Sequence, residues 1–268
     1  MSTVSKLTVG LLAAACIGMA SAEEAAVVKF EKPADFIQPS LVKPSENALT
    51  LRGRAAFMSK TTFQVNPAVK YSISGEFRHK NGKPVRILFG FAPFAKDNTP
   101  IRANMVNGYN TTLTTLVEAA KKGDKVLKVK DASKWNTKTT YSFVAVNAAK
   151  DFSDLPNRNL LYTAVPNVKQ NGTVWEITLK EPLKADIAAG TAVRQHLAGD
   201  GYIYTVRIFK PTEEWSVHSA MISGILRNGL ATNRFWRGTV SAKLLILVLD
   251  GDSKSEFEIR NVKVTEVK

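Results

Sequence analysis

A short run of aromatic and basic residues offers the clearest candidate chemistry in the sequence. Residues 233–238 (NRFWRG) place Phe235 and Trp236 side by side, with Arg234 and Arg237 on either side of them. An exposed aromatic ring stacks on the C–H face of a sugar, while nearby cations and amides bind hydroxyl or acidic groups. The run therefore predicts a carbohydrate-binding loop between two strands. The alternative is that both rings plug one end of the fold, because large aromatic residues are most often buried.

Two more aromatic residues are candidate ligand contacts elsewhere in the chain. Trp215 follows a pair of glutamates at the start of a predicted strand. Tyr109 lies beside Asn107, at the point where an inserted segment is expected to begin. We therefore interpret Tyr109 and Asn107 as candidates to line a cleft between two parts of the protein. For Trp215, as for Phe235 and Trp236, the alternative is a buried position in the core.

Two acidic loops are candidate ligand or calcium sites. The most polar loop, residues 151–159, contains Asp154 and Arg158 and suits either a saccharide or Ca²⁺, whose ligands are oxygen atoms. A turn whose Asp and Asn side chains bond their own backbone explains the same composition. A second group of carboxylates is a weaker calcium candidate, with a simple hairpin turn as its alternative: Asp250, Asp252 and Glu256. No cofactor other than a structural calcium ion is expected.

No catalytic residue can be identified from the sequence. The three histidines, His79, His196 and His218, are too widely spaced to form the paired motifs of zinc enzymes. The chain also has no G-x-S-x-G nucleophile motif and no glycine-rich phosphate loop. The sequence leaves open a catalytic pair of carboxylates that only the folded chain brings together.

The first residues predict export from the cytoplasm. Lys6 is followed by an apolar stretch, residues 7–19, and then by Ala20-Ser21-Ala22, a small-x-small pattern typical of signal peptidase sites. The alternative is a bacterial lipoprotein in which Cys16 is lipidated. Cys16 is the only cysteine, so cleavage after residue 22 leaves a secreted, periplasmic or envelope protein without thiol or disulfide chemistry.

The charge balance favours an acidic partner. The chain has 37 Lys and Arg residues against 23 Asp and Glu, a net charge of +14; removing Lys6 with the signal leaves 36 against 23, or +13. A basic surface attracts polyanions, and outside the cytoplasm these are mainly acidic glycans, so nucleic acid is not expected. The alternative is that the positive charge serves only to keep the protein soluble. No later segment is apolar enough for a transmembrane helix.

Alternation of apolar and polar residues is the dominant structural pattern. Residues 69–78, 85–91 and 202–208 alternate with period two, and residues 244–249 are apolar on both faces, as in a central strand. Only residues 115–122 suggest a helix, and it is short. The pattern predicts an all-β protein, with further strands at 125–130, 141–146, 174–179, 191–196, 215–221 and 257–264.

Two turn signals predict β-hairpins. Asn81-Gly82 separates the strands at 69–78 and 85–91, and Asp250-Gly251 follows the apolar strand 244–249. In the last strand the apolar phase slips by one residue after Ile259. This slip predicts a β-bulge near Arg260-Asn261.

Segments from both ends of the chain resemble one known fold. Tyr71–Arg78 (YSISGEFR), Ile87–Phe91 (ILFGF) and Phe257–Val264 (FEIRNVKV) resemble strands of galactose-binding-like β-jelly rolls, a group that includes many carbohydrate-binding modules of secreted bacterial proteins. The middle, with VLKV at 126–129 and WEITL at 175–179, is similar to a small β-module inserted in phage and bacterial surface proteins.

These resemblances imply a domain plan. The chain divides into a signal peptide (1–22), a leader segment (23–47), a jelly-roll β-sandwich built from two chain segments (48–109 and 199–268), and a smaller inserted β-rich module (110–198). The plan implies a non-catalytic protein that binds a glycan, and the basic charge favours an anionic polysaccharide or cell-surface glycan. The alternatives are a surface or adhesion protein that mediates protein contacts, and a polysaccharide lyase or glycoside hydrolase of the same fold.

Overall fold

The computed structural model describes residues 25–164 and 167–267 and is built almost entirely of β-strands. Within these residues one short helix, α1 (Ala103–Val106), and 3₁₀ turns at Pro33–Asp35, Pro39–Leu41 and Asn110–Thr112 are the helical elements. The strands are β1 (Ala26–Phe30), β2 (Val42–Ser45), β3 (Ala48–Arg52), β4 (Ala56–Met58), β5 (Phe63–Gln64), β6 (Lys70–Asn81), β7 (Ile87–Phe94), β8 (Thr114–Thr115), β9 (Val126–Val129), β10 (Ser142–Val146), β11 (Leu160–Ala164), β12 (Asn167–Asn171), β13 (Val174–Thr178), β14 (Ala192–Leu197), β15 (Ile203–Phe209), β16 (Ser216–Ser223), β17 (Ser241–Val248) and β18 (Glu256–Val267). The predicted all-β fold class is confirmed.

Two antiparallel sheets form the sandwich. The front sheet has the order β16-β6-β18-β3-β2, with β1 also paired to β18. The back sheet has the order β15-β7-β17-β4, with β5 also paired to β17. Strands β5 to β7 and β15 to β18 pass alternately between the two sheets, as in a jelly roll. Apolar residues from both inner faces fill the core, among them the fully buried rings of Phe57, Phe77, Phe89, Phe91 and Phe257.

The two predicted hairpins are wrong. Strand β6 lies in the front sheet and β7 in the back sheet, so Asn81-Gly82 carries the chain across the sandwich. Asp250-Gly251 does the same between β17 and β18. The two crossings lie side by side: a Cβ atom on Gly82 would come within 2.4 Å of the Lys254 carbonyl oxygen. Local turn signals therefore identified the reversals but not the sheet that receives the next strand.

Other features of the sandwich strands match the sequence. Strand β17 is buried along most of its length between β7 and β4, as its continuous apolar run predicted. The pairing register of β18 with β6 shifts between Arg260 and Lys263, and Asn261 adopts a φ of +52°. The predicted bulge is therefore confirmed.

The predicted leader segment is instead part of the sandwich. Strand β1 pairs with β18, and β2 pairs with β3. Phe30 and Phe36 stack with their ring centroids 4.0 Å apart, and Phe36 packs edge-on against Phe57 at 6.4 Å. The prolines that suggested a linker lie in and beside short 3₁₀ turns and at the edge of the sheet, where a missing N–H donor is tolerated.

Residues between α1 and β15 form the module. Its strands make a four-stranded sheet, β11-β10-β14-β8, and a three-stranded sheet, β12-β13-β9. A second hydrophobic cluster, separate from that of the sandwich, lies between them and contains Leu127, Val144, Ile177 and Val193. The module thus has a core of its own.

The helix predicted at 115–122 is wrong. Leu116 and Ala120 are both buried, and their spacing imitates one face of a helix. Their backbone groups instead bond across the module: Leu116 N–H donates to the Thr191 carbonyl, and Ala120 N–H to the Ile187 carbonyl. Long-range pairing satisfied these groups in place of a helical turn.

The signal peptide and Cys16 lie outside the residues that the structure describes. Within the described ranges, no helix is long and apolar enough to cross a membrane.

Candidate functional site

The predicted stacking residues of the 233–238 loop are core residues. Phe235 is 0% exposed and Trp236 1%. The Phe235 ring packs at 5.6 Å from Phe91 and 6.0 Å from Tyr71. A buried ring offers no face to a sugar, so Phe235 and Trp236 are excluded as stacking residues. The arginines beside them stay nearer the surface, Arg234 exposed and Arg237 half-buried.

The predicted polar residues bond to other parts of the protein itself. Asn107 donates through its amide to the carbonyls of Leu197 and Ala198, at 3.4 and 3.3 Å. Asp154 pairs with Arg194 at 2.7 Å. Arg158 in the module contacts Thr99 in the sandwich. The Tyr109 side chain takes part in none of these bonds and is 41% exposed. The structure therefore uses Asn107 and Asp154 for internal bonds, and Tyr109 remains an exposed ring.

A buried polar joint, formed by Arg194, His196 and Asp154, fixes the position of the module. The Arg194 guanidinium donates to His196 Nε2 at 3.2 Å, so the imidazole proton lies on Nδ1 and donates to the Asn104 carbonyl at 2.7 Å. Burial, together with the nearby positive charge of Arg194, lowers the pKa of His196 to about 4. The neutral imidazole is therefore a structural link and has no nitrogen left for a ligand.

The three candidate calcium ligands have other partners. Asp250 accepts two bonds from Arg86, each 2.6 Å long, and these bonds lower its pKa. Asp252 accepts the Lys254 backbone N–H at 2.8 Å, and Glu256 lies 3.4 Å from Arg52. Within residues 25–164 and 167–267, no three His, Cys, Asp or Glu side chains are grouped as metal ligands. These carboxylates stabilise the β17–β18 crossing.

Trp215 borders a small pocket on the outer face of the front sheet. Its ring contacts two guanidinium groups, Arg78 at 4.7 Å and Arg260 at 4.3 Å. The pocket, about 200 Å³, lies between the ring and the β2–β3 turn at residues 45–48. Trp215, unlike the buried rings of Phe235 and Trp236, therefore lines a pocket together with charged groups.

The charges below Trp215 are largely compensated. Glu258, although only 1% exposed, accepts bonds from Arg78 at 2.7 Å and Lys80 at 2.6 Å. Burial alone raises the pKa of Glu258, but these bonds and one from Ser45 outweigh it and lower the pKa to about 2. The cations of this pocket are thus already paired within the sheet.

A larger cavity, which we call the cleft, opens between the sandwich and the module and has a volume of about 480 Å³. It lies beside the polar joint, and Asn104, whose carbonyl accepts from His196, is in its wall. Three aromatic and three polar side chains face it from both parts of the protein: Phe94, Phe143, Tyr202, Arg102, Asn104 and Asp200. Apolar ring faces with a few polar groups around them are the usual composition of a ligand site.

Aromatic rings continue from the cleft across the module. We call Phe143, Tyr162 and Tyr141 the aromatic platform. Phe143 lies 5.3 Å from Tyr162, and Tyr162 lies 6.3 Å from Tyr141 with their planes only 18° apart. Tyr141 is 55% exposed, and the Lys180 ammonium lies 5.1 Å from the Tyr162 ring. The platform thus combines solvent-accessible rings with a nearby cation.

Strand alternation and register create the platform. In β10, Val144 and Val146 point into the module core, so Phe143, which precedes Val144, points to the opposite face. The pairing of β10 with β11 sets Phe143 directly opposite Tyr162. Sequence reasoning missed these residues because this register joins positions far apart in the chain. The only local signal was the Tyr141-x-Phe143 spacing of two rings on one strand face.

The lining of the cleft is poor in carboxyl groups. Among the described residues that line it, Asp200 is the one carboxylate. Glycoside hydrolases generally use two carboxyl groups that flank the scissile bond.

No family model, curated protein or solved structure shows significant similarity to this chain.

Proposed function

We propose that this protein binds an acidic polysaccharide along the aromatic platform and in the cleft. The observation that carries the proposal is a continuous series of aromatic rings, from exposed Tyr141 through Tyr162 to Phe143 in the cleft wall. An exposed ring of this kind has no role in core packing. It provides an apolar face on which a sugar ring can stack.

The polar groups around the rings favour an acidic sugar. Arg102 lines the cleft and is exposed, and Lys180 lies over Tyr162. Cations next to an aromatic face bind carboxylate or sulfate groups of a sugar that stacks on that face. The net charge of +14 adds a long-range attraction for a polyanion. Export from the cytoplasm, predicted from the first residues, would bring the protein to such polymers.

The cleft is a better candidate than the Trp215 pocket. The cleft has more than twice the volume, about 480 against 200 Å³. The arginines at Trp215 are already engaged by Glu258 and Glu76 at 2.6 Å. A ligand there has to compete with ion pairs that the protein has formed within its own sheet.

Substitution of Tyr162 tests the proposal. We expect Tyr162→Ala to weaken binding of polygalacturonate about two- to tenfold, because an aromatic contact contributes about 0.5–1.5 kcal/mol and about 1.4 kcal/mol is a factor of ten. The binding is measured by isothermal titration calorimetry or affinity electrophoresis. Fully methyl-esterified polygalacturonate, which lacks the charge, should bind more weakly and with less dependence on salt.

Tyr109→Ala is the control, since Tyr109 is an exposed tyrosine that lies outside both the aromatic platform and the cleft lining. It should bind like the unaltered protein. Equal binding by Tyr162→Ala and the unaltered protein would contradict the proposed site, and a loss with Trp215→Ala alone would move the site to the front sheet. If no acidic or neutral glycan of a panel binds at all, the proposed function is wrong.

A further inference from the structure

Strand β16 is an unprotected edge of the front sheet. It pairs with β6 on one side, and among the described residues no strand pairs with its other side. Its sequence, SVHSAMIS, contains no Lys, Arg, Asp, Glu or Pro, and its register with β6 runs without a bulge from Ser216 to Ser223. Native edge strands usually carry charges, prolines or bulges that prevent pairing with another chain. This edge has none of these devices.

Two apolar side chains of the edge strand are exposed. Val217 is 70% exposed and Met221 50%, and Ser219 between them is also exposed. The three alternate along β16 and therefore lie on one face of the sheet. They form an apolar strip along the edge.

The backbone groups of the same three residues face outward from the sheet. Ser223 N–H donates to the Asn233 carbonyl at 3.1 Å, so it points away from β6. In an antiparallel ladder the N–H and C=O of a residue point the same way, and alternate residues point to opposite sides. The uninterrupted register therefore directs the N–H and C=O groups of Met221, Ser219 and Val217 to the open edge.

We propose that two copies of this chain associate through their β16 strands, antiparallel about a two-fold axis at Ser219, so that the two front sheets become one. In this register Val217 of one copy lies opposite Met221 of the other, and Ser219 lies opposite Ser219. Each of the outward N–H groups then meets an outward carbonyl. The strand is thus self-complementary in both its hydrogen bonds and its apolar side chains, as a two-fold interface requires.

Charges at the two ends of β16 support a second copy as the partner. Glu213 and Glu214 are exposed just before the strand. Arg234 is exposed beside its other end, because the neighbouring Asn233 is bonded to Ser223. The antiparallel arrangement brings the acidic end of one copy to the basic end of the other. The same segment 233–235 limits the pairing to about the length from Val217 to Met221.

The mass of the protein across a concentration series, measured by sedimentation velocity without any glycan, tests the inference. We expect a monomer–dimer equilibrium for the unaltered protein. Ser219→Lys places two like charges opposite each other at the axis and should raise the dissociation constant tenfold or more. Ser253→Lys adds the same charge in an exposed loop and should leave it unchanged. A monomer at all concentrations, or undiminished dimer in Ser219→Lys, would overturn the inference.

A disulfide across the axis identifies the register. In a Cys16→Ala background, Ser219→Cys should form a covalent dimer on mild oxidation, because hydrogen-bonded antiparallel pairs have Cα atoms about 5.5 Å apart, within disulfide range. The matched variant Ser253→Cys should crosslink much more slowly. Equal rates would show random collision and contradict the register. Neither outcome bears on the glycan site, since no glycan is present.

Discussion

The neutral imidazole of His196 shows how single residues hold the two parts of the protein together. It is fully buried, accepts from Arg194 and donates to the Asn104 carbonyl in α1. Protonation would place a second positive charge beside the Arg194 guanidinium and remove the acceptor of that bond. The joint therefore requires the uncharged form, which is why its pKa lies well below 6.5.

This requirement predicts a pH dependence of stability. The unfolded chain binds the His196 proton near pH 6.5 and the folded chain only near pH 4, so stability is complete above 6.5 and falls as the pH drops toward 4. The free energy of unfolding should decrease by about 3 kcal/mol over this interval. Urea denaturation at several pH values measures it.

His196→Gln is the comparison variant for this effect. It should be less stable than the unaltered protein at neutral pH but should lose most of the slope between pH 6.5 and 4.5; His218, whose pKa burial also lowers, contributes the remainder. Protonation of Glu258 does not interfere there, because its lowered pKa makes stability fall only below about 4.5. An unchanged slope in His196→Gln would assign the pH dependence to other groups.

At the scale of elements, the crossings between the sheets are more tightly constrained than ordinary turns. Gly82 has a φ of +73°, and an added Cβ would lie 2.4 Å from a backbone oxygen of the neighbouring crossing. Gly53 has a similar φ of +77°, but its nearest neighbour would be 3.8 Å away. A side chain at either position would strain the backbone, but only at Gly82 would it also collide with a neighbouring backbone atom.

We expect Gly53→Ala to cost about 1–2 kcal/mol, the strain of a left-handed residue with a side chain. Gly82→Ala should cost clearly more, about 3 kcal/mol, because the neighbouring backbone also has to move. Both free energies of unfolding are obtained by urea denaturation. Equal costs would mean that the two crossings do not pack as closely as the structure shows.

The sequence predicted the strands better than their partners. Alternation and the phase slip after Ile259 are local patterns, so most strands and the bulge in β18 could be found. The choice between a hairpin and a crossing is not local, because both bury alternate residues of β6. Phe235 and Trp236 are residue types that occur in sugar sites, but in the folded protein both rings fill the core. The aromatic platform depends on the register of Phe143 with Tyr162, which no single segment encodes.

At the scale of the whole molecule, the sandwich and the module each have a core, and the polar joint fixes them side by side through the bond from His196 to the Asn104 carbonyl. The cleft is the space that this arrangement leaves next to the joint. A dimer through β16 would carry two clefts, and two linked sites bind a polymer more tightly than either alone. The proposed glycan binding and the proposed association are therefore separable in experiment but would act together.

Hydrogen–deuterium exchange with and without oligogalacturonate shows directly whether the cleft binds the glycan, because it locates the ligand without altering the protein. We predict slower exchange in three segments that border the cleft or the platform, residues 92–104, 141–146 and 198–204, with no change at residues 45–48 or 213–216 beside Trp215. Protection confined to the Trp215 segments, or no protection at ligand saturation, would contradict the claim that the cleft binds the glycan.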